Sequence, residues 1–231
     1  VNIGFSAGVS VGAAILAPWG REQTRQRNTL PTEEDLLRLD PQQVLPIDRV
    51  ALRQDVDRIS RASEVSDILL QSVVWLPAAL FLDRDVRSDA LEIAAIYLES
   101  QTFSALFHTF GPFGPTFSQR YRPQAYYHNL PFEQRSEREI KTSFYSGHVA
   151  STANATFFMA KVLSDYHPEW RFEKWIAYAL AAVPPAVMGV LRVRATRHFP
   201  TDSIVGFVIG AGTGIAFPQL HRIRDGNLKL G

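Results

Sequence analysis

Apolar residues recur at three- and four-residue intervals, or in unbroken runs, over several long stretches, and strand-like alternation is weak throughout. Residues 48–62 read as an amphipathic helix. An apolar helix begins at Ser66 or Asp67 and runs to Leu82, bent at Pro77. Residues 85–110 predict another, with Ser88 as its cap, and the GPFGP run at 111–115 ends it. Helical spacing resumes after Gly147 and lasts to about Asp165. Its first turns carry Ala150, Ser151, Ala153 and Ala155, small enough to admit a close helical neighbour. Residues 172–192 predict a fifth helix kinked at Pro184 and Pro185, and the last runs from near Thr201 to about Phe217. The fold class is all-α, a bundle of about six core helices.

The polar stretches divide the chain. Residues 20–46 predict an exposed arm with one short helix after Pro31, where Thr32 can cap and Glu33, Glu34 and Asp35 suit a helix N-terminus. Residues 1–19 (VNIGFSAGVSVGAAILAPW) are apolar and rich in small side chains. They suit a fragment of an export signal, a membrane-seated segment or a packed helix, without the basic flank of an intact signal peptide. The resulting division is an apolar segment and polar arm over 1–46 and a helical domain over 47–231. A loop containing Arg120, Arg122 and Pro123 follows the GPFGP run, and residues 129–141 read as a solvated loop or short helix.

Composition narrows the function. A length of 231 residues fits one domain with a substantial core. A net charge of +1 argues against nucleic acid as a partner. With 46% hydrophobic and 20% charged residues, disorder is excluded for most of the chain. The absence of cysteine excludes disulfides and thiolate zinc sites. Residues 68–82, 175–191 and 203–218 approach the ~20 apolar residues that a membrane span needs, although a mean hydropathy of −0.06 is low for a wholly embedded protein. The balance favours a bundle seated in or against a membrane.

Three clusters carry candidate chemistry: Arg122-Pro123; Ser146-Gly147-His148 at a helix start; and Arg192, His198 and Asp202, spaced R-x5-H-x3-D. Phosphate-ester cleavage needs fixed positive charge and N–H donors. Arg122 and Arg192 can clamp phosphate bidentately. A helix N-terminus adds unsatisfied amides, Gly147 leaves its amide approachable, and Ser146 offers a hydroxyl. Neutral His198 is a competent nucleophile. Asp202, one helical turn on, can fix its tautomer. His148 can protonate the leaving alkoxide and then activate water. This chemistry needs no metal. His108, His128, His167 and His221 are scattered without metal-ligand spacing. Arg194 and Arg197 read as surface arginines that could steer an anion. Tyr121, Tyr126 and Tyr127 suit either a lipid entrance or core packing.

In this order and spacing the clusters resemble the signature motifs of the type 2 phosphatidic acid phosphatase/vanadium haloperoxidase superfamily, K-x6-R-P, P-S-G-H and S-R-x5-H-x3-D. The resemblance covers about 115–202. It implies that His198 carries the phosphoryl group, Asp202 orients it and His148 is the acid/base. Arg122, Arg192, Ser146 and Gly147 then hold the phosphate. It further implies a helical fold, no metal or organic cofactor (phosphate or vanadate can occupy the site), a phosphorylated lipid or small molecule as partner, and a bacterial membrane with the site facing the periplasm, or a soluble periplasmic location. Three positions depart from the pattern. Pro115 stands at the lysine position, with Arg120 or Lys141 as candidate substitutes; Tyr145 replaces the proline before Ser146; Leu191 replaces the serine before Arg192. The expected activity is hydrolysis of phosphate monoesters, including lipid phosphates or isoprenyl diphosphates. The alternatives are a vanadate-dependent haloperoxidase and an impaired lipid-phosphate-binding membrane protein.

Overall fold

The amphipathic stretch predicted over 48–62 is broken by its own turn chemistry. Pro46–Leu52 is a 3-10 helix, and Asp55 then restarts the chain by accepting the Asp57 amide at 3.1 Å, opening a 3-10 turn at Val56–Arg58. This computed structural model describes residues 29–225 throughout and, before them, 12, 16, 18–20, 22–24 and 26; most of the apolar 1–19 segment lies outside the described residues. The elements are α1 (Glu33–Leu37), α2 (Ile59–Trp75), α3 (Arg84–Arg87), α4 (Ala90–Phe110), α5 (Phe132–Arg135), α6 (Gly147–Tyr166), α7 (Glu173–Arg194) and α8 (Pro200–Asp225). The all-α expectation holds, and there is no named strand among the described residues.

The apolar helix thus begins at Ile59, earlier than Ser66. It passes into a 3-10 helix over Leu76–Leu82, where Pro77 withholds the amide that an α-helix would use. Ser88 is not an N-cap: its hydroxyl donates to the Asp85 carbonyl and closes α3. Pro184 and Pro185 sit inside α7, which runs through them as one helix. Thr32 caps α1 as expected, in a reciprocal capping box with Asp35.

Helix α6 is the hub. Buried residues ring its circumference, from Val149, Ala150 and Thr152 to Phe158 and Val162, as expected of a helix enclosed by others. It packs against α8, α7, α4 and α2. Phe158 and Val162 join Leu80, Val86, Ile93 and Ile96 in the main apolar cluster. Buried polar side chains bind helix to helix. Asn154 donates to Ser100 Oγ on α4 (2.7 Å) and Thr213 Oγ1 on α8 (2.8 Å), and Thr156 donates to the Ala181 carbonyl on α7 (2.7 Å). The polar 20–46 stretch is fitted to this bundle more closely than its composition predicts: Leu36 is fully buried with Ala125 and Ile140, and Val44 packs with Ala51 and Phe199.

Three stretches are long and apolar enough to cross a membrane: Val56–Leu82, Glu173–Arg194 and Pro200–His221. Between 22% and 28% of each apolar window is buried in the protein. Ile68, Trp75, Leu180 and Val208 each expose more than half of their surface. An apolar exterior of this kind suits a lipid surround.

Candidate active site

The glycines of α8 set how close α8 comes to α6. A Cβ on Gly206 would stand 2.5 Å from the Ser146 carbonyl oxygen, and one on Gly210 would stand 2.1 Å from that of Ala150. Only glycine lets the two backbones meet at this distance. The first turn of α8 therefore lies against the first turn of α6, and the Ser146 amide donates to the Asp202 carbonyl at 3.1 Å. This contact brings the Ser-Gly-His cluster and the H-x3-D cluster together.

The third cluster folds back on itself. After α7 ends, Thr196 takes a left-handed conformation, φ 54°, which costs a non-glycine residue about 1–2 kcal/mol. Its carbonyl accepts the Gln124 amide (3.1 Å), and the Arg197 amide bonds back to the Arg192 carbonyl (3.1 Å). The turn thereby returns Arg197 and His198 to the side on which Arg192 lies, which explains the five-residue spacing.

A cavity of about 400 Å³ forms there. Arg122, His148, Arg192, Arg197, His198 and Gly147 line it, with Asp67, Glu137 and Glu139 as its acidic groups. Arg122 and Arg192 are buried, and the Nε of each meets no hydrogen-bond partner among the described residues. Burial, then the neighbouring Arg197, lowers Arg122 to about 10, still charged at neutral pH. Gly147 presses against His108, whose ring nitrogen would lie 3.3 Å from an added Cβ. Ser146 is fully buried, its Oγ without a hydrogen-bond partner among the described residues, but it does not line the cavity.

His198 is 4% exposed. Its Nδ1 lies 2.6 Å from the Ser143 carbonyl. A carbonyl can only accept, so Nδ1 carries the proton and Nε2 holds the lone pair. Burial, then Arg192 and Arg122, hold its pKa well below the usual imidazole range, so the ring is neutral at physiological pH. Asp202 does not touch the ring directly: its Oδ2 is 4.0 Å from Nδ1. That oxygen accepts instead from Ser143 Oγ (2.6 Å) and the Phe199 amide (2.8 Å). Asp202 thus holds both the residue whose carbonyl orients His198 and the backbone just after it.

His148 Nε2 pairs with Asp67 Oδ1 on α2 at 2.9 Å. Arg192 reaches Ser66 Oγ on the same helix at 3.0 Å. Burial, then Arg192, lowers the His148 pKa to about 4, against the opposing pull of Asp67.

Neither expected substitute for the missing lysine reaches the cavity. Arg120 forms a bridge between two fully buried carboxylates, Asp48 (2.7 Å) and Asp202 (2.5 Å), and stacks 4.1 Å over Phe199. The carboxylates draw it to the far side of the 198–202 turn. Lys141 donates to the Thr29 carbonyl at 3.3 Å. Pro115 does line the cavity, and the third cation facing it is Arg197, held by Glu137 at 2.8 Å. Arg197 is thus a wall of the site rather than the surface residue that its sequence context suggests. Asp67, Ser143 and Asp48 carry no motif, and only the fold reveals them. Of the scattered histidines, His108 lines the cavity, its Nε2 3.0 Å from the Tyr145 carbonyl, and the other three are engaged elsewhere: His221 with Glu99, His128 with Arg135, and His167 with Asp83 and Glu169. His167, Asp83 and Asp85 lie together at the far end of α6, about 30 Å from His148 at 1.5 Å per helical residue.

A family model described as the PAP2 superfamily matches residues 93–225, more than half of the chain. The chain belongs to the PAP2 superfamily. Within this PAP2 domain lie all three clusters and every cavity cation named above. No curated protein matches the sequence significantly. Among solved structures, the chain is similar to the first transmembrane PAP2-type phosphatidylglycerolphosphate phosphatase from Bacillus subtilis, with TM-score 0.50 and 17% identity over 94% of this chain and 96% of that one. At that identity the likeness establishes a shared PAP2 fold.

Proposed function

We propose that this protein hydrolyses phosphate monoesters of lipids through a phosphohistidine at His198. The observation that carries the reading is the pairing of a neutral, buried histidine, its Nδ1 tied to Ser143, with two buried arginines whose Nε donors have no partner among the described residues. A phosphate dianion placed before His198 would engage those donors together with Arg197 and the first-turn amides of α6.

In the first step the His198 Nε2 lone pair attacks phosphorus and the P–O bond to the lipid alkoxide breaks. His148, protonated, gives its proton to that alkoxide. In the second step neutral His148 takes a proton from water, the hydroxide attacks phosphorus, and the P–N bond breaks to release inorganic phosphate. Asp67 supports the protonated form of His148, and the entering phosphate adds further negative charge beside it. Asp202, Ser143 and Arg120 position His198 without touching substrate.

The membrane is the second part of the proposal. His198 lies in the short connection between the spans Glu173–Arg194 and Pro200–His221. That supports a site at the membrane surface, where lipid headgroups are, and we assign this surface to the periplasmic side. The test is phosphate release from phosphatidate and from an aryl phosphate by the full chain in micelles. His198→Ala should abolish both and vanadate should inhibit the parent. Undiminished hydrolysis by His198→Ala would overturn the mechanism.

A further inference from the structure

A second cavity lies along α7, beside the catalytic one. An apolar groove of about 630 Å³ runs between α7 and α8, walled by Val190, Val193, Ile204, Phe207 and Val208. Its size falls within the ~300–1,000 Å³ typical of ligand pockets. It shares no described lining residue with the catalytic cavity. On α7 the cavity takes Arg192 while the groove takes Gly189 and Val193; on α6 the cavity takes His148 while the groove takes Val149.

The groove opens into a polar recess through two residues common to both, Gln54 and Arg194. The recess holds Arg58, Arg61 and Arg194 against one carboxylate, Asp55. Asp55 pairs with Arg58 at 3.0 Å. Arg61 and Arg194 have no ion pair or side-chain hydrogen bond among the described residues. An apolar slot with a net-positive lip thus sits at one end of two candidate spans, since Arg194 closes Glu173–Arg194 and Arg58 lies at the start of Val56–Leu82. Basic recesses between spanning helices at the membrane surface suit anionic headgroups.

We infer that this face holds a resident anionic phospholipid, separate from the substrate, with one acyl chain in the α7–α8 groove and its phosphate on Arg61 and Arg194, flanked by Arg58. Three arginines against one carboxylate select a net-negative headgroup over a zwitterionic one. The inference rests on the membrane placement proposed above, but not on the phosphatase chemistry.

Phosphatidylglycerol is the probe of choice because it is a diester and offers no phosphate monoester to hydrolyse. The full chain, purified in micelles containing equal phosphatidylglycerol and phosphatidylcholine, is measured for retained lipid by mass spectrometry. Aryl phosphate turnover is read in parallel to report folding. The expected result is at least fivefold enrichment of phosphatidylglycerol, lost in Arg58→Gln/Arg61→Gln/Arg194→Gln with aryl phosphate turnover unchanged within twofold. Ile204→Trp, at a half-exposed position of the groove wall, should lower retention of the whole lipid at least fivefold. No enrichment in the parent, full enrichment in the triple variant, unchanged retention in Ile204→Trp, or a dimer cross-linked through this face would each overturn the inference. In the parent protein, absence of lipid preference with normal turnover would refute this site alone, and absence of turnover with clear lipid preference would refute the phosphatase reading alone.

Discussion

Replacing Arg120 separates two roles that its motif position confuses. If Arg120 stands in for the family lysine, Arg120→Ala should weaken phosphate binding and leave the fold intact. The structure assigns it the opposite role, because its guanidinium is, among the described residues, the arginine or lysine cation paired with two fully buried carboxylates, Asp48 and Asp202. Breaking a buried pair costs about 3–5 kcal/mol. Arg120 is itself about a quarter exposed, so water partly replaces it and the lower end applies, about 3 kcal/mol. For a chain of this length that is a fall of about 6–12 °C in thermal midpoint. Asp48 also accepts the Thr201 amide (2.9 Å) and hydroxyl (2.7 Å) at the start of α8, so the loss should spread to the helix that carries Asp202. The assay is thermal unfolding in micelles beside vanadate inhibition of aryl phosphate hydrolysis. Arg120→Lys should recover part of the midpoint. An unchanged midpoint with vanadate inhibition weakened tenfold would refute this reading and return Arg120 to the phosphate cradle.

Other expected outcomes follow from the same geometry. Asp67→Asn removes the group that raises His148 against burial and Arg192, so the basic limb of the kcat–pH profile should move to lower pH; a shift upward would remove Asp67 from the account. Glu137→Gln frees Arg197 and should tighten vanadate inhibition, while Arg197→Ala should raise KM about tenfold, the effect of ~1.4 kcal/mol; equal KM values across the three proteins would contradict a cavity role for Arg197. Partly buried His148 and buried His198 stay neutral in the fold while the unfolded chain binds protons near pH ~6.5. The unfolded state therefore holds more protons as pH falls below that value, and stability should drop by up to about 1.4 kcal/mol per pH unit for each; a thermal midpoint flat from pH 6.5 to 5 would contradict their burial. Gly210→Ala places a methyl 2.1 Å from the Ala150 carbonyl, whereas the same change at Gly212 meets nothing within 4 Å. The first should lose about 1–3 kcal/mol or more and the second gain up to ~1 kcal/mol of helix propensity, read as thermal midpoints.

Much of this was legible along the chain because the information is local. The helical blocks follow from apolar spacing, and the Thr32 cap from one residue and its neighbours. His148, His198, Arg122 and Arg192 carry short-range motifs, and the fold brings all four to one cavity. What escaped depends on contacts distant in sequence. Asp67 lies 81 residues from His148 and Asp48 lies 72 from Arg120, and neither has a signature of its own. The 48–62 helix fails because Asp48 is buried as a helix-start acceptor rather than exposed on a polar face, and because Asp55 captures an amide. Asp202 acts through Ser143, since the first turn of α8 leaves its carboxylate 4.0 Å from the ring that the four-residue spacing suggests it should touch. One signal was available and went unused: Gly206, Gly210 and Gly214 fall on one face of the last helix and mark where α6 approaches.

The most direct test is to trap the phosphoenzyme. His148→Ala, which keeps the nucleophile but loses the group that activates water, should be mixed with an aryl phosphate whose phenolate needs no acid to leave. The reaction is quenched in base and the phosphorylated peptide mapped. The account predicts a base-stable, acid-labile phosphoryl group on His198, absent from His148→Ala/His198→Ala. A phosphoryl group on any other residue, or hydrolysis continuing with no phosphoenzyme formed, would contradict it.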